Sequence, residues 1–155
     1  MIKSILIISL AAFVLFSTSP FANVSRIEIN VKNGIGEPGD SAKVTRIIKL
    51  TQLDNMFLPN EIEVAEGETI NFVVKNGGDH RHEMLIGTKK DLKIAAKMRR
   101  MFPDKNHSEP GLIQLEPGET KELVWHFDHA GTIEFACPLP GHFKGMRGTI
   151  YVEKK

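Results

Sequence analysis

Cysteine is almost absent from this chain of 155 residues: there is one, Cys137. A lone cysteine cannot close an internal disulfide, so a disulfide-stapled scaffold is excluded. The thiol is left to pack, to react, to pair between molecules or to bind a metal. An excess of charge of one sign is also lacking, with 20 basic against 19 acidic side chains. No block of basic residues occurs either, which argues against a nucleic-acid partner. The apolar run from Ile5 to Phe16 is short for a membrane span.

That run does fit another layout. Lys3 precedes it, and Ser-Thr-Ser-Pro-Phe-Ala follows, ahead of a polar segment. Charge, apolar core and small residues in that order form a secretory signal peptide, expected over residues 1–22. The other reading of the same stretch is an uncleaved membrane anchor. No cysteine stands near the cleavage region, so a lipid-anchored form is not expected. Cleavage removes Lys3 from the 20 basic residues and leaves 19 against 19. The expected product is exported to the periplasm, is not inserted in a membrane, and is long enough for one compact domain.

From Asn23 the alternation Val24, Ile27, Ile29, Val31 reads as a strand, ending in a turn cluster from Asn33 to Asp40. Residues 23–41 either pair with the main sheet or form an arm. From Ala42 to the end, over 42–155, the pattern is all-β. Val44–Leu50 alternates, Phe57-Leu-Pro59 interrupts, Ile62-Glu-Val64 resumes, and Glu66-Gly67-Glu68 turns into Thr69–Lys75. A related phrase, Glu116-Pro117-Gly118-Glu119-Thr120, leads into Leu123–Phe127, so the two Gly-Glu-Thr turns mark equivalent hairpin corners. Short strands at regular spacing predict a Greek-key β-sandwich. One helix breaks the rhythm around 89–102. Thr88 and Asp91 resemble a capping box, Ile94, Met98, Met101 and Phe102 share one face, Lys93, Lys97, Arg99 and Arg100 spread over the remainder, and Pro103 ends it. Asp104 to Gly111 reads as surface loop.

The chemistry is concentrated near the C-terminus. A strand-like run delivers Cys137, a short loop stiffened by Pro138 and Pro140 carries His142 and Met146, and a second strand-like run leaves. Soft sulfur and nitrogen donors suit copper, and one thiolate, two imidazoles and a weak axial thioether form the blue-copper set. The second imidazole must come from elsewhere, with His82 the candidate and His80 its rival. Other readings of the cysteine are a buried apolar residue or a nucleophile paired with His142. Against the nucleophile, Pro138 leaves no backbone N–H after the cysteine, and no third orienting group is apparent. Structural zinc sites rarely recruit methionine.

Cys-x4-His-x3-Met resembles the ligand loop of the cupredoxin family at the azurin-like length. Arg81-His82-Glu83 resembles the place where cupredoxins supply their first histidine. The similarity extends to bacterial periplasmic cupredoxins associated with copper tolerance, through His-Glu-Met-Leu-Ile-Gly-Thr, the basic helix after it and Phe-Ala-Cys-Pro-Leu-Pro-Gly-His-Phe. This resemblance implies a cupredoxin-like sandwich holding one type 1 copper per chain on His82, Cys137, His142 and Met146. It favours His82 over His80. Glu83 stands where cupredoxins keep a polar residue that orients the ligand loop; taken alone it is equally an exposed strand carboxylate. Binuclear centres need a second cysteine where this chain has Gly141, and multicopper oxidases need histidines where it has Ala136 and Pro138.

The expected protein is therefore a non-enzymatic one-electron carrier. A redox partner such as a cytochrome or copper enzyme would dock on Leu139, Pro140 and Phe143 around His142. The alternative is copper handling and tolerance at the same site. Met56, Met98, Met101 and His107 offer donors for a second, weaker Cu(I) site, or the methionines pack a helix face. Met84 reads as core, and His126 and His129 as surface or packing residues.

Overall fold

The computed structural model describes residues 36–155; the expected signal peptide and the alternating run from Val24 to Val31 lie outside the described residues. Two five-stranded sheets face each other. One takes the order β1 (Glu37–Pro38), β8 (Thr120–His126), β5 (Thr69–Asn76), β2 (Arg46–Leu53), β3 (Met56–Leu58). The other runs β4 (Glu61–Ala65), β10 (Arg147–Glu153), β9 (Gly131–Ala136), β6 (His82–Gly87), β7 (Leu112–Leu115). The β2–β5 and β4–β10 pairs are parallel, and the rest are antiparallel. This is the all-β sandwich with one inserted helix that the alternation predicts.

Period-two alternation selects the core. Ile70, Phe72 and Val74 of β5, Ile62 and Val64 of β4, and Ile150 and Val152 of β10 turn inward and are buried. Phe57 meets the Phe135 ring edge-on at 5.0 Å between centroids, and Phe72 meets Phe127 likewise at 6.3 Å. Gly148 lets β10 pass the Phe135 ring, where a Cβ would come within 2.1 Å of it.

Three expectations change. Phe57 and Leu58 do not interrupt the sheet but belong to β3, which folds back on β2 through Asp54-Asn55, pairing Leu53 with Met56. Pro59 falls just past that strand, so the ladder loses no donor there. The Gly-Glu-Thr turns are equivalent corners, but neither is a hairpin: one joins β4 to β5 and the other β7 to β8, each crossing between sheets. Their equivalence is physical. Glu68 Oε2 accepts from Ala65 N and Glu119 Oε2 from Glu116 N, both at 2.8 Å, while Gly67 and Gly118 both take positive φ. Of the N-terminal 23–41 segment, the described part sends Glu37–Pro38 to the edge of β8, and Gly36 N donates to Asp128 Oδ1.

The third change concerns the helix. It spans α1, Lys89–Met101, and Thr88 caps it by accepting from Asp91 N. Its buried face is Leu92, Ala95, Ala96 and Arg99, not the stripe containing Ile94, Met101 and Phe102, which are 39%, 55% and 36% exposed. Small alanines let α1 lie close on the outer side of β6 and β9, where Leu92 and Ala95 join Leu85 and Ala136 in a second apolar cluster. As a result every residue of β6 is buried. His82, Met84 and Ile86 face the sandwich, whereas Glu83 and Leu85 face the helix.

Candidate metal centre

Three of the expected ligands come together at one end of the sandwich. His82 opens β6, Cys137 directly follows β9, and His142 lies five residues further on in the loop to β10. His82 Nδ1 and His142 Nδ1 are 3.1 Å apart, and Cys137 Sγ is 3.7 Å from His142 Nδ1. All three donor atoms lie within 4.8 Å of one another, and among the described residues no other group of His, Cys, Asp or Glu is so placed. Two bonds of about 2.0–2.3 Å, typical of first-row metals with imidazole and thiolate, span such separations. The donor set fits one soft or borderline ion.

The loop is fixed by its own hydrogen bonds. Leu139-Pro140-Gly141-His142 forms a turn in which His142 N donates to Leu139 O at 3.1 Å. Gly141 takes the positive φ of +87° that a type II turn needs after proline. That requirement accounts for glycine where a binuclear centre would carry a second cysteine. Cys137 N donates to Met146 O at 3.0 Å and Met146 N to His142 O at 2.9 Å, closing the loop at its base. Met146 is fully buried there, in the same core cluster as Cys137.

Asp54 is a site residue that sequence reasoning missed. Its Oδ1 lies 3.1 Å from His82 Nε2, so it holds the ring with Nδ1 turned to the cluster. The same oxygen accepts from Asp79 N and His80 N. Partial desolvation pushes the Asp54 carboxyl up, but the His80 and His82 rings and these N–H groups outweigh it and hold it at about 2. The available signal was an aspartate in a two-residue turn between strand-like runs. His80 is outside the cluster: its side chain is 70% exposed and its Nδ1 rests 3.2 Å from Asp54. His126 Nδ1 meets Thr69 Oγ1, and His129 pairs with Asp128 on the surface.

Burial pushes the Cys137 thiol up to about 11, against the backbone N–H groups of Glu83 and Leu139 that pull it down. Burial, with His82 and His80 nearby, holds the His142 imidazole below its usual value and so neutral at pH 7. The His142 ring is then free to act as a ligand, and the thiol becomes one when it gives up its proton.

Glu83 is not an exposed carboxylate; only 1% of it is accessible. Its N–H donates to Cys137 Sγ at 3.4 Å, and its side chain turns to the helix. There Oε2 accepts from Arg99 Nε at 2.9 Å and Oε1 from Gln114 Nε2 at 2.9 Å. Arg99 also forks onto Glu109, which is buried although the segment from Asp104 to Gly111 reads as surface loop. Burial pulls the Arg99 guanidinium down, but Glu109 and Glu83 outweigh it and raise it above its ordinary value. In sequence Arg99 reads as one of the cations off the apolar face of the helix. The sign that it is inside was its spacing, i+7 from Leu92 and i+3 from Ala96. His107 is buried on the same loop, with Nε2 3.4 Å from Phe102 O. Met101 and Met56 are exposed and Met98 half-buried, so the methionines are not the packed face of α1.

A family model described as copper binding proteins, plastocyanin/azurin family, matches residues 42–153. The chain belongs to this family. It is a copper-binding cupredoxin, and its curated relatives include copper-resistance proteins. The Copper-resistant cuproprotein CopI of Rubrivivax gelatinosus is 44% identical over 119 residues, covering 76% of this chain and 72% of that protein. The protein of the same name in Pseudomonas aeruginosa is 31% identical over 148 residues, covering 76% and 82%. Auracyanin B superposes with a TM-score of 0.63 over 80% of this cupredoxin and 99% of its own chain, at 15% identity, a likeness of fold.

Because Arg99 neutralises two buried carboxylates, replacing it strands Glu109 and leaves Glu83 with the longer ion pair to Arg81 at 3.3 Å. Arg99→Met is expected to lower unfolding stability by about 3–5 kcal/mol, measured by denaturant titration of the metal-free chain. Adding Glu109→Gln should return part of that loss, whereas a strictly additive double variant would deny the coupling.

Proposed function

We propose that this cupredoxin handles copper in an exported compartment and confers copper tolerance. It holds one ion through Nδ1 of His82, Nδ1 of His142 and Sγ of Cys137, with the Met146 thioether as a weak axial donor. The observation that carries the reading is the buried cluster of three donors within 4.8 Å. The names of the CopI relatives support tolerance over electron carriage as its use. Export is supported by the layout of residues 1–22. Copper bound there would supply a one-electron couple. The chain's own residues bury the donors, orient His82 from Asp54 and limit access.

The same access supports a non-catalytic role. His82 and Cys137 are sealed from solvent, and His142 alone is half-exposed. No second cysteine or flanking histidine stands beside Cys137 to wire it to another metal.

A strain lacking the protein should lose growth in added copper and keep normal respiration, with rescue by the wild-type chain and not by Cys137→Ser. Unchanged tolerance, or a purely respiratory defect, would reject the reading. Copper-loaded mature protein should show a thiolate-to-copper absorption band that Cys137→Ser abolishes.

Proton linkage gives a second check. Since the Cys137 thiol is held near 11 and His142 is already neutral, loading at pH 7 should release about one proton per ion. Apparent affinity should then rise about tenfold per pH unit between pH 7 and 8. Affinity independent of pH would mean the thiol is not a ligand.

One observation favours electron carriage as a second reading. The half-buried edge of His142 is bordered by the partly buried Leu139 and Phe143, an apolar surface suited to brief contacts. Leu139→Glu should slow electron exchange with a redox partner such as a cytochrome while leaving the copper spectrum intact; an unaltered rate would exclude the patch.

A further inference from the structure

Beside the metal loop lies a cleft of about 650 Å³, walled by α1 on one side and by residues 138–144 on the other. Lys93, Lys97, Arg100 and Lys144 line it, all exposed, and no carboxylate does. None of the four takes part in an ion pair among the described residues. Beneath them the surface is apolar: Ala96, Pro138, Leu139 and Phe143. The Phe143 ring is itself fixed by Arg147, whose guanidinium stands 4.9 Å from its centroid.

Charge placement is the informative feature. Lys93, Lys97 and Arg100 recur at i, i+4 and i+7, so they share one face of α1. Like charges four apart repel and weaken a helix. The chain as a whole is nearly neutral, with 20 basic and 19 acidic side chains, so the cluster is not a by-product of a basic composition. From Lys93 to Arg100 the helix rises about 10 Å, a span that several acidic residues of one segment match and a single small anion does not. An anionic membrane fits less well. Interfacial anchors project apolar side chains into lipid, whereas here the apolar surface is the floor of a concavity with cations above it.

We propose that this cleft docks a partner protein through an acidic segment carrying an apolar side chain, seated next to His142. The proposal rests on the copper-handling reading only for what docking achieves, which is to bring the partner against the exposed edge of a ligand. Docking itself needs no metal. Exposed rim charges act mainly through encounter rate, so the contact is salt-sensitive.

The test uses the metal-free mature chain and a dye-labelled ten-residue peptide of Glu and Asp with one central Phe, followed by fluorescence anisotropy at low salt. Lys93→Glu/Lys97→Glu/Arg100→Glu should bind about tenfold more weakly, and so in lesser degree should Lys144→Glu on the loop. Lys49→Glu/Lys75→Glu, on the opposite sheet, should bind as wild type. Amide shifts on peptide addition should map to residues 93–100 and 138–144. Equal binding by the triple and wild-type chains, or shifts elsewhere, would overturn the proposal. So would retention on phosphatidylglycerol vesicles that is lost in the triple variant while the peptide fails to bind, which would make the cleft a membrane surface. Failure of the wild-type chain to bind the peptide, with its copper tolerance shown in the strain test, removes the docking site alone; absence of tolerance, with the peptide bound as expected, removes the functional reading alone.

Discussion

Strand β6 is covered on both sides, and the placement of His82 and Glu83 follows from that. In a strand buried on one face, the residue after a metal-facing histidine would point to water. Here α1 covers the outer face, so the alternation sends His82 inward and Glu83 into a second buried layer. A buried carboxylate must be neutralised or hydrogen-bonded. Arg99 answers it from the helix, and Glu109 holds the other side of the guanidinium. The helix is thereby tied to the strand that supplies the first histidine, and the Glu83 N–H reaches the Cys137 sulfur. Ligand geometry and helix docking are parts of one arrangement.

Much of this was legible beforehand, for identifiable reasons. Cys137, His142 and Met146 sit on one short loop, so their spacing alone reports proximity. His82 needed the resemblance of its flanking residues, since 54 positions separate Glu83 from the sulfur it contacts. Asp54 was invisible because its role depends on a hairpin that carries it against His80 and His82, and nothing in Leu53-Asp54-Asn55-Met56 names its target. Arg99 and Glu109 were misread because charge was taken as a sign of exposure. Their burial is a pairwise fact, and each is tolerable inside only because the other is present. The helix showed the same bias: large apolar residues at Ile94 and Met101 drew attention from the smaller Leu92-Ala95-Ala96 face that lets the helix approach the sheet.

The two sheet-crossing corners show how the frame around the site is stabilised. Each uses a glutamate whose side chain accepts the backbone N–H three positions back, and each glycine supplies the positive φ the reversal needs. Since β5 and β8, which leave these corners, pair with each other, the corners fix the register of the sheet opposite the one that carries His82.

The sealed position of the lone thiol has a consequence for the protein before any metal arrives. Thiolates, not thiols, attack disulfides and are readily oxidised. A sulfur with no accessible surface, held protonated far above neutrality, is a poor nucleophile and out of reach of other chains. In an oxidising milieu the folded apo form therefore resists covalent dimerisation and sulfenic acid formation. Its one soft anionic donor is kept in reserve, released by the ion it is shaped to receive.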